Sequence, residues 1–241
     1  MTINDPVGEA EGGTPPAAAC SAYGGARRRV SAFVSSLSSA DVRRMVPACP
    51  EWNVHDVLAH LVGSATDVVA GRLDGVGSAP WTQAQVESRR GRSCDDLLTE
   101  WSEAGPPFEQ LLAGFPPEIA NLAVGDLITH EHDVRAACGD RGGRDTPEYD
   151  VALQYQVAAL GTRLDGAGLG ALCLKAGHEE WVVGPGEALT TVTASRHDLL
   201  RALSSRRSAD QIRAMNWDGD PGGYLVVFGA YGPLPERSLA D

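Results

Sequence analysis

The sequence predicts an α+β fold, a helical bundle followed by a small α/β domain, and three observations predict it. Between residues 54 and 69, Val54, Val57, Leu58, Leu61, Val62, Ala65, Val68 and Val69 recur at spacings of three and four, the stripe of an amphipathic helix. Further helical stretches, punctuated by Pro and Gly, fill the chain to about residue 166. Around Asp165–Gly170 the texture changes to short β-branched runs separated by Gly and Pro turns.

The elements follow in order. Residues 1–16 are acidic and small, the composition of a disordered lead-in. Val30, Phe33, Val34 and Leu37 place a first helix over 17–39, with Gly24 and Gly25 weakening its start. Pro47 and Pro50 end it. Asn53 can cap the second helix, because its side-chain oxygen accepts from N–H groups that a helix start leaves free. Gly71, Gly75, Gly77 and Pro80 then read as a long connection. A third helix spans 94–112, interrupted or kinked at Pro106 and Pro107. Pro116 and Pro117 open a fourth over 118–138, which Gly139 stops. A fifth follows Pro147 through Val151, Tyr155, Ala158 and Leu164. Strands are expected at 171–175, 180–183 and 189–193, and a last one at 224–228. Ser195 caps a helix through Leu203, and Ser208 another to about Met215. The chain thus divides into the lead-in, a bundle at 17–166, an α/β domain at 167–233 and a tail at 234–241.

Composition excludes several classes of function. The 241 residues carry 20 basic against 32 acidic side chains, a net charge of −12, and Lys175 is the one lysine. Such a chain is a poor partner for the phosphates of nucleic acid. It has no apolar run of about 18 residues, so no membrane-spanning helix is expected. The N-terminus lacks the cationic and apolar regions of a signal peptide. Cys20, Cys49, Cys94, Cys138 and Cys173 form no C-x-x-C pair. They read as reduced thiols of a cytoplasmic protein, not as a zinc knuckle or redox motif.

Two pairs carry the chemistry. Asp56 and His60 lie four residues apart on the second helix, Asp126 and His130 four apart on the fourth, and Asp133 continues that face. Residues at i and i+4 stack on one side of a helix. Asp126 and His130 with His60 from a facing helix would make three metal ligands and leave a fourth position open, as catalytic zinc sites do. The competing reading is a pair of helical charge contacts worth a few tenths of a kcal/mol. His55, His132, His178 and His197 lack metal spacing and read as ordinary polar histidines. The segment 196–213 sets Arg196, Arg201, Arg206, Arg207 and Arg213 against Asp198 and Asp210. It is either a solvated helix pair or an anion clamp over the metal pocket.

The stretch Val46-Pro47-Ala48-Cys49-Pro50-Glu51-Trp52, followed by Asp56 and His60, resembles the opening signature of the mycothiol-dependent maleylpyruvate isomerase family. That family belongs to the DinB-like metalloprotein superfamily and is found mainly in actinobacteria. Its usual form is Cys-Pro-Gly-Trp, so Glu51 replaces a glycine. Asp126, His130 and Asp133 resemble its Glu-x-x-x-His-x-x-Asp signature, and Ser195 to Gly229 resembles its small second domain. The resemblance implies a DinB-like up-down four-helix bundle and a sterol-carrier-like α/β C-terminal domain. It implies a divalent metal, usually zinc, held by His60, Asp126 and His130, and mycothiol as cofactor or co-substrate. Arg201 matches a signature arginine and, with Arg206, is expected to bind the cofactor. Asp56 is expected either to support His60 through its other ring nitrogen or to steady that helix turn. Asp126 is one methylene shorter than the family's Glu, and Ser205 stands where a Gly usually precedes the arginine. The implied chemistry is attack of a thiolate on a small electrophile, anionic if the arginines clamp it, giving isomerisation or S-transfer. Two alternatives stay open. One is a DinB-like hydrolase, lyase or cyclase of a specialised pathway that does not use mycothiol. The other is a non-catalytic binding protein on the same fold.

Overall fold

A computed structural model of the chain describes residues 16–241. The expected lead-in lies outside the described residues apart from Pro16, which opens the first helix, α1 (Pro16–Ser35). A short antiparallel hairpin of β1 (Met45–Val46) and β2 (Cys49–Asn53) leads into α2 (Val54–Val69). Then follow α3 (Ala79–Glu87), α4 (Cys94–Leu112), α5 (Pro117–Ala137) and α6 (Pro147–Gly166). The C-terminal part holds β3 (Leu172–Ala176), β4 (Glu179–Val183), β5 (Thr190–Thr193), α7 (Arg196–Leu203), α8 (Ala209–Arg213) and β6 (Asn216–Asp218). The fold is α+β.

The second helix forms where its stripe and cap place it. Asn53 Oδ1 accepts from the Asp56 N–H at 2.9 Å, and the Asp56 carboxylate accepts from the Asn53 N–H at 3.1 Å. This reciprocal box satisfies two donors of the first turn. The apolar stripe of α2 is buried, mainly against α4, and its neighbouring face meets α5. Helix α1 packs on α4, α5 and α6. Helix α4 runs unbroken through Pro106 and Pro107, contrary to the expected interruption. Trp101, Phe108 and Leu112 anchor it to the core on both sides of the prolines.

Two further expectations are corrected, and one element is new. The connection at 71–92 contains α3, capped by Ser78 and packed on α2. The strand expected at 224–228 is instead part of a 3-10 helix, Gly222–Phe228. A strand would turn Val227 and Phe228 to opposite faces, whereas both are buried in one core. The sheet edge is taken by β6, which was not expected. Strand order is β4-β3-β5-β6, with β3 and β5 parallel and the outer pairs antiparallel.

One apolar cluster runs from α1 through the helices into β3, β5 and α7. The expected boundary at 166/167 therefore separates two layers that share a core, with α6 touching α7 and β4. The expected tail folds back: the Gln211 side chain bonds the Leu239 backbone, and Asp241 sits between Arg201 and Arg207. Among the described residues no helix is long and apolar enough to cross a membrane.

Candidate metal centre

Helices α2 and α5 bring His60, Asp126 and His130 together. His60 Nε2 lies 3.4 Å from Asp126 Oδ2, and His130 Nε2 lies 3.6 Å from Asp126 Oδ1. One donor atom from each residue falls within 4.8 Å of the others. The imidazoles meet edge to face at 5.1 Å, and Trp52 from β2 covers both. All three donors line a cavity of about 840 Å³. The two imidazoles are buried, while the Asp126 side chain keeps 35% of its surface open.

Behind His60 stands a residue that the sequence did not single out. His60 Nδ1 lies 2.9 Å from Gln85 Oε1, and Ser64 Oγ donates to the same oxygen at 3.2 Å. Gln85 Nε2 donates to Asp67 Oδ2, which fixes the amide the right way round for accepting from His60. Gly63 makes this approach possible: a Cβ there would come within 2.6 Å of Gln85 Cβ. Of the two roles expected of Asp56, the structure shows the second: it turns to the helix N-terminus and steadies the first turn as the partner of Asn53, without a hydrogen bond to His60.

Behind His130 stands Asp133. Its Oδ2 lies 3.1 Å from His130 Nδ1, a close electrostatic contact rather than an aligned hydrogen bond. Asp133 is fully buried and also takes Arg201 at 2.8 Å and Arg206 at 2.9 Å. Arg201 is only 2% exposed, and it also gives Nε to Asp241 and Nη1 to the Thr129 carbonyl. The expectation that Arg201 faces the pocket is corrected: it is an internal tie between α5, α7 and the C-terminal segment. Arg206 does line the cavity, but its donors are taken by Asp133 and the Ser204 carbonyl. The other arginines of the segment are paired as well, Arg207 with Asp198 and Asp241, Arg196 with Asp150 and Glu179, and Arg213 with Asp210.

Charges follow from this geometry. Burial works against the Asp126 carboxylate, but the imidazoles of His130 and His60 and the Arg206 guanidinium hold it down to about 2. Burial also opposes a charged His60, yet Asp126 and Gln85 outweigh it and raise its pKa above the ordinary imidazole value. Burial, followed by the Asp133 carboxylate, pushes the Cys49 thiol up to about 12. Cys49, His130 and Asp133 form a second close group. There the carboxylate is already held by two guanidiniums and the sulfur is neutral.

Residues 23–138 match the family described as the mycothiol maleylpyruvate isomerase N-terminal domain. The matched segment runs from within α1 to just past the end of α5 and includes His60, Asp126 and His130. The whole structure is similar to the crystal structure of a mycothiol-dependent maleylpyruvate isomerase, with a TM-score of 0.54 and 14% identity. The alignment covers 85% of this chain and 93% of that one. A histidine-to-alanine mutant of a mycothiol-dependent maleylpyruvate isomerase aligns with the same coverage and TM-score at 15% identity. At these identities the likeness is one of fold. No curated protein matches the sequence.

The departures from the mycothiol maleylpyruvate isomerase pattern find physical explanations here. The shorter Asp126 still reaches both imidazoles, because Trp52 and the α2–α5 packing hold them close. Ser205 adopts φ 59°, the left-handed region that favours glycine. Its Oγ compensates by accepting from the Tyr231 N–H at 2.9 Å and donating to the Gly232 carbonyl at 3.2 Å.

Proposed function

We propose that this protein is a divalent-metal-dependent enzyme using mycothiol as cofactor or co-substrate. It would direct a thiolate at a small electrophile, with isomerisation or S-transfer as the outcome. The observation that carries this reading is the His60–Asp126–His130 cluster, open to a cavity in a bundle matched by the mycothiol maleylpyruvate isomerase N-terminal family.

The donor set fits a divalent ion. Two imidazole nitrogens and one ionised carboxylate oxygen, converging on one side and open on the other, suit zinc. His60 and His130 would ligate through Nε2 and Asp126 through a carboxylate oxygen. When bound, such a cation stabilises thiolate over thiol near neutral pH.

The chain's own residues do the positioning. Gln85 is placed to accept from His60 Nδ1–H, so loss of the other ring proton, which Asp126 favours in the metal-free site, would leave the Nε2 lone pair free for a metal. Asp133 faces His130 Nδ1 in the same sense. Trp52, Phe108 and Leu127 line the cavity with apolar surface, which limits water around a nucleophile. Burial and the Asp133 carboxylate favour a neutral Cys49 thiol, which supports a reading in which the small molecule supplies the reactive sulfur. The proposed partners are therefore small molecules and not nucleic acid, and the proposed compartment is the cytoplasm, where a low-molecular-weight thiol stays reduced.

Calorimetric titration of the full chain with zinc tests the metal. One equivalent should bind, and His60→Ala and His130→Ala should each weaken it by at least about 100-fold. A wild-type chain that takes up no divalent ion refutes the proposal. Turnover of an electrophile that is equal with and without mycothiol refutes the thiol part.

A further inference from the structure

We infer that the electrophile taken by this cavity is predominantly apolar, aromatic or alkyl in bulk, and is not a dicarboxylate. That the ligand is an electrophile rests on the proposed function; that it is apolar rests on the walls of the cavity.

The first ground is what the walls are made of. Tyr23, Trp52, Phe108, Phe115, Leu122 and Leu127 line the space around the histidines. The volume of about 840 Å³ is large for a four- or five-carbon acid and suits a molecule of drug-like size. Burial of apolar surface is worth about fourfold in affinity for each methylene, so a small polar acid would leave most of the available binding energy unused.

The second ground is charge. Recognition of a carboxylate calls for an unengaged guanidinium or ammonium that can offer paired donors. Among the described residues Arg206 is the one cationic side chain lining the cavity. Its Nε and Nη2 are on Asp133, and its Nη1 is on the Ser204 carbonyl. Arg201, the other candidate, is buried outside the cavity wall. The carboxylates of Glu51 and Asp126, by contrast, do line it. With Asp126 committed to the proposed metal, a dianion would still meet the Glu51 carboxylate and no unengaged guanidinium or ammonium of the chain to hold its second carboxylate.

The third ground is the rim. Val76, Ile119 and Leu122 are among the large apolar side chains left exposed on the surface, and all three line this cavity. Apolar side chains gathered at a cavity mouth mark an entry route for an apolar ligand, since water gains nothing from them there.

The test measures binding of two probes, 2-naphthol and maleate, to the zinc-loaded full chain, by quenching of tryptophan fluorescence and by calorimetry. The inference expects 2-naphthol to bind at least about tenfold tighter than maleate. Leu122→Asp should weaken 2-naphthol at least about tenfold, and Ile119→Asp at the rim gives the same comparison if the first variant does not fold. Maleate binding as tightly as 2-naphthol, or 2-naphthol binding unaffected by either aspartate, overturns the inference. The two readings fail separately. A chain that binds 2-naphthol but neither zinc nor mycothiol keeps the apolar site and loses the proposed enzyme. A zinc- and mycothiol-dependent chain that accepts only dicarboxylates keeps the enzyme and loses the apolar substrate.

Discussion

His60 Nδ1 and Gln85 Oε1 meet at 2.9 Å across two helices, although 25 positions separate them in the chain. The contact decides which ring nitrogen of His60 carries the hydrogen, and so which one is free to hold an ion. Gln85→Leu keeps the volume and removes the acceptor, leaving the ring N–H buried without a partner. Metal affinity should fall about 10- to 100-fold with the fold retained. Calorimetric titration with zinc checks this; an unchanged affinity would mean that Gln85 does not orient the ligand.

Asp56 gives the contrasting outcome. It touches the helix start, not His60, so Asp56→Ala should cost about 1 kcal/mol of stability through loss of the capping box. Zinc affinity should stay within about twofold of wild type, since no hydrogen bond joins Asp56 to the histidines. Urea denaturation and metal titration on the same protein separate the two effects, and a large loss of affinity would restore Asp56 to the site.

The difference between these residues shows what was legible. Asn53, Asp56 and the stripe of α2 act within a few residues of one another, so local spacing reveals the helix and its cap. His60, Asp126 and His130 were legible for a related reason: periodicity places each on a helix face, and the family's signatures imply which faces meet. Helix α3 has no stripe, because only Gln85 and Val86 of its nine residues are buried. Its position is set by the gap over Gly63, a tertiary feature that leaves no periodic trace. The arginine segment was misjudged for the same reason. A local count shows excess positive charge, but Asp133 and Asp241, which neutralise Arg201, lie far away in sequence.

Ser205 offers a test of strain against hydrogen bonding. A left-handed φ costs a non-glycine residue roughly 1 kcal/mol or more. The links to Tyr231 and Gly232 return about 1 kcal/mol each. Ser205→Ala keeps the strain and loses both links, so it should destabilise by about 1 to 3 kcal/mol. Ser205→Gly loses the links but relieves the strain, and should lie near wild type. The ordering Gly above Ala in denaturant melts is the expected result; the reverse would show that Ser205 carries no backbone strain.

Acid stability should be governed by a second pair of imidazoles, away from the cavity. His132 and His197 pack edge to face at 5.3 Å beside Tyr149, whose hydroxyl lies 3.1 Å from His197 Nδ1. Burial favours both neutral rings: with His197 and nearby arginines it holds His132 down to about 2, and with Arg144 and Arg201 it keeps His197 below the ordinary value despite Asp241. Below about pH 6.5 the unfolded chain therefore takes up protons that the folded chain refuses. Stability should fall as the pH drops through that value and keep falling toward the folded-state pKa. His132→Gln removes one refused proton. Between pH 6 and 5 it should flatten the loss of stability by up to about 1.4 kcal/mol per pH unit. At pH 7 it should be destabilising, because the ring packing against Tyr149 and His197 is lost. Urea denaturation at pH 7, 6 and 5 checks both signs. A variant with the wild-type pH slope would show that His132 is not kept neutral in the fold.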